Sequence, residues 1–284
     1  VHLYGHPCQM DLIMDIARKH NVYVIEDFSH AHGALVKNRL CGSIGDIAIA
    51  SCMREKALPL LEGGIICTNN KVLYERCCAF DHYRYLGYYE NSQKVVYGKV
   101  TDENLLKFIG APIGAVKNRM NAVSAALGSE ILDTFKEHIA EVEMANNFFM
   151  DILESNKAFR GHRCKGKGMS MGGWYSPKVF TEPALASAIA AEIAKSGVTC
   201  YVGHKYFLLP KHIINEYGNS FGNAEQLFCS NLKCETLEEN IEAEYPIAVE
   251  TNRYIISAPR FLIYKKAEIE RYAKIYLDAL HTVK

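Results

Sequence analysis

The spacing of apolar residues changes several times along the first third of the chain, and each change marks an element. Val1–Tyr4 alternate and predict a strand that ends at Gly5. Gln9–His20 carries Leu12, Ile13, Ile16 and Ala17 at helical spacing, with Asp11 in the first turn and Asn21 as C-terminal cap. Val22-Tyr23-Val24-Ile25 is a continuous apolar run of the kind found in buried parallel strands, and it ends in Glu26-Asp27. Strand, helix and strand joined by short loops form a βαβ unit, which predicts an α/β fold with a mostly parallel sheet. Ala34–Val36 and Ile47–Ala50 predict further strands, Gly63-Gly64 turns into another at Ile65–Thr68, and Lys71–Phe80 reads as a helix.

The pattern then changes character. Residues 81–113 show little period and many tyrosines, which predicts an irregular excursion. From Arg119 to Glu154 a helical pattern runs without an internal proline, predicting one kinked helix or two that join two lobes. Gly161–Gly173 is rich in Gly, Lys and Arg and reads as a loop. Beyond it the elements alternate: strand Lys178–Phe180, helix Pro183–Lys195, strand Thr199–Val202, helix Asn223–Leu232, strand Tyr254–Ser257 and helix Ala267–Leu280. The organisation expected is part of a large α/β domain over 1–120, a connecting helix or helices over 119–154, and a smaller α+β domain over 155–284.

Composition narrows the function. Lys+Arg and Asp+Glu both number 32, so the formal net charge is zero, which disfavours a chain built to coat nucleic acid or an anionic membrane. No apolar run is long enough to span a bilayer. The ten cysteines include no CxxC pair and read as free thiols of a reducing cytoplasm; no metal site is expected, since structural zinc wants closely paired ligands. The chain begins with Val rather than Met, on what reads as a strand already under way, and is expected to continue upstream.

Three segments carry candidate chemistry. Glu26-Asp27-Phe28-Ser29-His30-Ala31-His32-Gly33-Ala34 puts a carboxylate at the carboxyl end of a strand, where α/β sheets place ligand-binding groups. Ser51-Cys52-Met53-Arg54-Glu55-Lys56-Ala57-Leu58-Pro59 also follows an apolar strand, and Glu62-Gly63-Gly64 comes soon after. Singly, each residue has an ordinary reading: Asp27 capping a turn, His30 a surface or core histidine, Ser51 an unremarkable serine, Lys56 one member of a solvated charge run. Jointly they keep a pattern, with Lys56 five residues after Ser51 and Glu62 six after Lys56.

That pattern resembles the DegT/StrS sugar aminotransferases, within the fold-type I pyridoxal-phosphate enzymes. Tyr4-Gly5-His6-Pro7 before Met10-Asp11, and Arg119-Met120 with Ala125-Ala126-Leu127-Gly128, extend the likeness over about residues 1–130. The resemblance implies that Lys56 forms an imine with the aldehyde of pyridoxal 5'-phosphate and shuttles a proton. It implies that Asp27 faces the pyridine nitrogen, Ser29 lies under the ring, His30 hydrogen-bonds the phenolic oxygen and Ser51 donates to the phosphate. Lys117 stands where much of the family has an asparagine reaching the phosphate of the partner subunit; a lysine can serve a phosphate as a point charge, and the contact implies a homodimer. The implied reaction moves an amino group, with L-glutamate as expected donor, to a keto sugar that is nucleotide-linked. Transfer to a keto-inositol is an alternative, as are dehydration of a deoxysugar (disfavoured because relatives that dehydrate carry His in place of the lysine) and a non-catalytic role.

The sequence departs from the family at Leu61, where glycine is usual, and at Cys52, where phenylalanine is usual. The family's upstream phosphate-binding turn and its stacking aromatic have no counterpart before Val1, so the chain by itself is expected to bind cofactor weakly or not at all.

Overall fold

A computed structural model describes residues 1–81, 88–90, 93–95, 120–204, 243 and 245–284. These divide into two compact units. One comprises Val1–Met144, Arg163–Tyr175 and Leu262–Tyr264; the other comprises Ala145–His162, Ser176–Phe261 and Lys265–Lys284. Among the described residues no helix is long and apolar enough to cross a membrane.

Unit 1 opens differently from the expected strand: Leu3–Gly5 is a 3-10 turn, with Tyr4 at φ 57. The alternation of Val1–Tyr4 reflects a chain that crosses the end of a strand, since the His2 amide donates to the Asp27 carbonyl at 3.0 Å. Helix α1, Met10–His20, ends where Asn21 turns left-handed, with Arg18, Lys19 and His20 beside the exposed carbonyls. Strand β1 is Ile25–Asp27, and β2 (Leu35–Val36) and β3 (Arg39–Leu40) form a small hairpin. Strand β4, Ile47–Ser51, runs parallel to β1 in the register Ile25↔Ile47 to Asp27↔Ile49.

Strand β5, Gly64–Cys67, pairs antiparallel with β4. The described sheet, β1-β4-β5, is therefore mixed rather than mostly parallel. The reason lies in the intervening loop, which closes on itself: the Cys52 amide donates to Gly63 and the Leu60 amide to Cys52, both at 2.8 Å, so the chain doubles back. The Val22–Ile25 run is also less buried than its composition predicts, with Val22 58%, Tyr23 69% and Ile25 67% exposed. Ile25 shares one sheet face with Ile49 and Ile66, and that face is uncovered; the opposite face buries Glu26, Ala48 and Ala50.

Helix α2, Lys71–Asp81, follows. Within the segment expected to be irregular, β6 (Tyr88–Glu90) and β7 (Gln93–Val95) pair antiparallel. The long helical stretch resolves into α3, Ala122–Asp133, and α4, Phe135–Glu154, with Thr134 between them. Asn121 caps α3 by accepting from the Val123 amide at 2.8 Å.

Unit 2 contains the second half of α4 and the antiparallel sheet β10-β9-β8, made of β8 (Arg160–Gly161), β9 (Lys178–Phe180) and β10 (Ile255–Ser257). Helix α5, Pro183–Lys195, starts on a proline, whose fixed φ suits a first helical position. Helix α6 is Pro246–Tyr254 and α7 is Lys266–Val283. The strand expected at Thr199–Val202 reduces to a single bridge, Val202↔Ile256. The helix expected at Asn223–Leu232 lies outside the described residues. Phe149, Met150, Leu153, Ile189, Ile193 and Tyr276 are fully buried, and Tyr276 donates its hydroxyl to the Ser257 carbonyl at 2.8 Å. Asn146 clasps the Phe261 backbone from both sides, donating to its carbonyl at 2.7 Å and accepting from its amide at 3.1 Å.

One glycine is critical in unit 1. Gly172 has φ +58, and a Cβ there would collide with the Ala34 amide nitrogen and the His32 carbonyl oxygen. Gly172→Ala is expected to cost about 3 kcal/mol through left-handed strain and overpacking. A urea midpoint unchanged from wild type would show that this close approach does not matter.

Candidate active site

The expected site residues converge on the carboxyl ends of β1 and β4. Asp27, the last residue of β1, accepts the Ser29 amide at 2.9 Å. Ser29 in turn accepts the Ser51 amide at 2.9 Å, so the ends of the two parallel strands are tied through one hydroxyl. Ser51 Oγ lies 3.4 Å from the Met53 amide. Burial pushes the Asp27 carboxyl up, but the Ser29 hydroxyl and amide, with the charge of His30, lower it below the usual carboxylate range. Asp27 is therefore a settled anion at neutral pH.

His30 follows on the turn after β1. Its Nδ1 accepts the Tyr4 amide at 3.2 Å, which places the ring proton on Nε2. The imidazole stacks on Tyr175 with centroids 3.9 Å apart and planes 19° from parallel. Lys56 meets the same tyrosine: its Nζ lies 4.1 Å from the ring centroid. At 8% exposed, Lys56 is a buried lysine rather than a member of a solvated run. It rides on the closed loop after β4, where its amide donates to Met53 at 3.0 Å and the Arg54 amide donates to Leu61 at 3.0 Å. Leu61 stands at φ 67, the left-handed backbone that glycine adopts without cost. Its neighbour Glu62 is exposed. Lys117 lies outside the described residues.

Glu26, singled out only as the neighbour of Asp27, proves to be a structural anchor. Its carboxylate, 2% exposed, accepts His2 Nε2–H at 2.9 Å and the amides of Gly42, Ile44 and Gly45 at 2.6, 2.9 and 2.8 Å. Burial opposes its charge, yet these donors lower its pKa to about 2. His2 Nδ1 accepts the Cys8 amide at 2.9 Å, which agrees with a proton on Nε2. His2, Glu26 and Cys41 lie close enough to share an ion. The hydrogen bonds already account for that cluster, and burial with the Glu26 charge pushes the Cys41 thiol up to about 12, unlike a thiolate ligand. Cys8, Cys41, Cys52, Cys67, Cys77, Cys164 and Cys200 are free thiols.

Tyr175, Trp174 and Glu143 were not legible in the sequence. Glu143, on α4, accepts the Met171 amide at 3.2 Å and Trp174 Nε1–H at 2.6 Å. An available signal was the chain's single tryptophan directly after Gly172-Gly173. A separate apolar cavity of 1410 Å³, lined among others by Phe28, Leu58, Ile65, Phe135 and Ile139, does not include Asp27, His30, Ser51 or Lys56.

The fold is one that aminotransferase structures share. The aminotransferase from Psychrobacter cryohalolentis superposes with a TM-score of 0.73 at 22% identity, over 99% of this chain and 68% of that one. Helicobacter pylori PseC, an aminotransferase involved in pseudoaminic acid biosynthesis, superposes with a TM-score of 0.69 at 19% identity, over 99% and 66%. The profile of the DegT/DnrJ/EryC1/StrS aminotransferase family matches residues 1–237, and the chain belongs to that family. Its members are pyridoxal-phosphate-dependent transaminases. The GDP-perosamine synthase of Escherichia coli O157:H7 is 45% identical over 80 residues, 28% of this chain and 22% of that protein. The GDP-perosamine synthase of Caulobacter vibrioides is 34% identical over 153 residues, 54% and 36% respectively. The matched stretches thus span about a fifth to a third of these curated relatives.

Proposed function

We propose that this chain carries the lysine-bearing half of a sugar transaminase, moving an amino group from L-glutamate to the keto group of a nucleotide-linked sugar. The carrying observation is the meeting of a buried lysine, Lys56, and the His30 imidazole on one tyrosine ring, on the same sheet ends as the anionic Asp27. The donor set fits pyridoxal 5'-phosphate: an amine for an aldehyde, an anion for a pyridinium nitrogen, an N–H donor for a phenolic oxygen and hydroxyls for a phosphate.

That cofactor, once bound, supplies the electron sink that makes a carbon-bound proton removable. The chain's own residues do the rest. Asp27 keeps its negative charge at neutral pH and so favours a protonated ring nitrogen. His30 donates from Nε2, because its Nδ1 is committed to the Tyr4 amide. Ser51 Oγ offers its proton to a phosphate oxygen, and Ser29 keeps Ser51 in place through the Ser51 amide. Lys56 would hold the cofactor through its aldehyde, and its amine, when free, would take up and return a proton. Lys117 and the homodimer belong to the same reading, with Lys117 serving the phosphate of the partner subunit.

The relatives support the substrate class, since they include GDP-perosamine synthases and a UDP-4-amino-4,6-dideoxy-N-acetyl-beta-L-altrosamine transaminase. The test is nitrogen transfer from 15N-labelled L-glutamate to GDP- or UDP-linked 4-keto-6-deoxy sugars in the presence of pyridoxal phosphate. Label in a sugar amine is the expected result. Bound cofactor with no transfer to either nucleotide class overturns the proposed substrate.

A further inference from the structure

We propose that Tyr175 is a positioning residue whose ring holds the Lys56 amine and the His30 imidazole in register before any cofactor arrives. The inference rests on the reading of Lys56 and His30 given above, and it adds a residue that lies outside the segments carrying the family pattern.

The ring has little freedom to be elsewhere. The Gly173 amide donates to the His32 carbonyl at 3.0 Å, and Gly172 nests against the backbone of residues 32–34. Glu143 fixes Met171 and the fully buried Trp174. From the other side, a Cβ on Gly5 would lie 3.0 Å from the Met171 carbonyl oxygen, 3.1 Å from that of His30 and 3.5 Å from the Tyr175 amide nitrogen. The Tyr4-Gly5 turn thus packs against the backbones of both stacked residues. The backbone leading into Tyr175 is held by these contacts, whereas Lys56 reaches the ring on a four-carbon stem.

The chemistry of an aromatic face suits this task. Its quadrupole attracts an ammonium without contributing a formal charge, so the amine is located yet remains able to lose its proton and react. A carboxylate in the same place would bind the ammonium more strongly and keep it protonated. The parallel imidazole at 3.9 Å is held by the same ring, so one side chain sets the plane of the hydrogen-bond donor and the position of the nucleophile.

The test compares the full wild-type chain with Tyr175→Phe and Tyr175→Leu. Phenylalanine keeps the aromatic face; leucine keeps apolar bulk without a quadrupole. Trace acylation by acetic anhydride, read by peptide mass spectrometry, gives the rate at Lys56 relative to Lys178, a buried lysine of the other unit. The ratio is expected to rise roughly tenfold in the leucine variant and to stay within about twofold of wild type in the phenylalanine variant. A leucine variant with the wild-type ratio overturns the proposal, as does a phenylalanine variant that rises as far as leucine. Borohydride treatment with pyridoxal phosphate reads separately whether Lys56 takes the cofactor in wild type. Failure there removes the cofactor reading and leaves the acylation result to decide the role of the ring.

Discussion

Whatever covalent capture of pyridoxal phosphate the wild-type chain shows, Lys56→Ala is expected to abolish it and to lower amino transfer by roughly 10³-fold or more, since on the proposed reading it removes both the nucleophile and the proton carrier. The fold should survive. Lys56 belongs to a loop held by backbone hydrogen bonds, and alanine leaves those intact. Two measurements check the result together: the visible absorbance of protein-bound cofactor, and a circular dichroism melt. Loss of absorbance with an unchanged melt is the expected pair. Transfer that persists in the variant would move the chemistry to another amine. Loss of both signals would mean that the lysine is structural.

The second large effect concerns Glu26. Glu26→Gln is expected to destabilise the chain by about 3 kcal/mol, an order-of-magnitude figure from a carboxyl lowered from 4.5 to about 2. The geometry gives the same direction independently. Each carboxylate oxygen accepts two N–H groups, from His2 and Gly42 on one side and Ile44 and Gly45 on the other. An amide offers one acceptor oxygen and one NH₂, so in either orientation two buried donors face a third. The pH dependence has a definite sign. A carboxyl whose pKa is lowered on folding contributes fully above its ordinary value of 4.5, and the contribution drains away as pH falls towards about 2. Denaturant midpoints measured between pH 6 and 2 should therefore converge for wild type and variant at the acid end. Curves that stay parallel across that range would contradict the assignment.

What the sequence made legible depended on how local the cause was. Helix α5 was readable from end to end because a proline opens it and small apolar residues repeat along it. The strand-end positions of Asp27 and Ser51 were readable because both follow apolar runs, and strand ends are where such folds place function. The exposure of the run leading into β1 was not. Val22–Ile25 carries the composition of a doubly buried strand, and composition cannot say whether anything packs on it. Likewise Leu12, Ile13 and Ile16 keep helical spacing yet lie 58%, 37% and 61% exposed on α1. The antiparallel arrival of β5 depends on hydrogen bonds across a loop, which leave no periodicity.

The site divides in the same way. Asp27, Ser29, His30, Ser51 and Lys56 were named as candidates from a family resemblance carried by residues 26–64. Tyr175 meets His30 and Lys56 from a segment far along the chain, two residues past the Gly161–Gly173 stretch that reads as a loop. Glu26 was visible but ambiguous, since a strand-end carboxylate can serve a ligand or hold its own loop. Only the positions of four donors decide. Leu61 is the converse case: the residue where the family usually carries glycine adopts the left-handed backbone that explains the preference.

The self-closed loop between Cys52 and Gly63 has a consequence for effective concentration. A lysine on an open loop would have to be located afresh by each arriving aldehyde, at an entropic cost on every encounter. Here four amide-to-carbonyl bonds, donated by Cys52, Arg54, Lys56 and Leu60, fix the backbone that carries the amine. On the proposed reading of Lys56 as the nucleophile, its search is completed by folding, and its local molarity is set by the ring of hydrogen bonds rather than by diffusion of a tether.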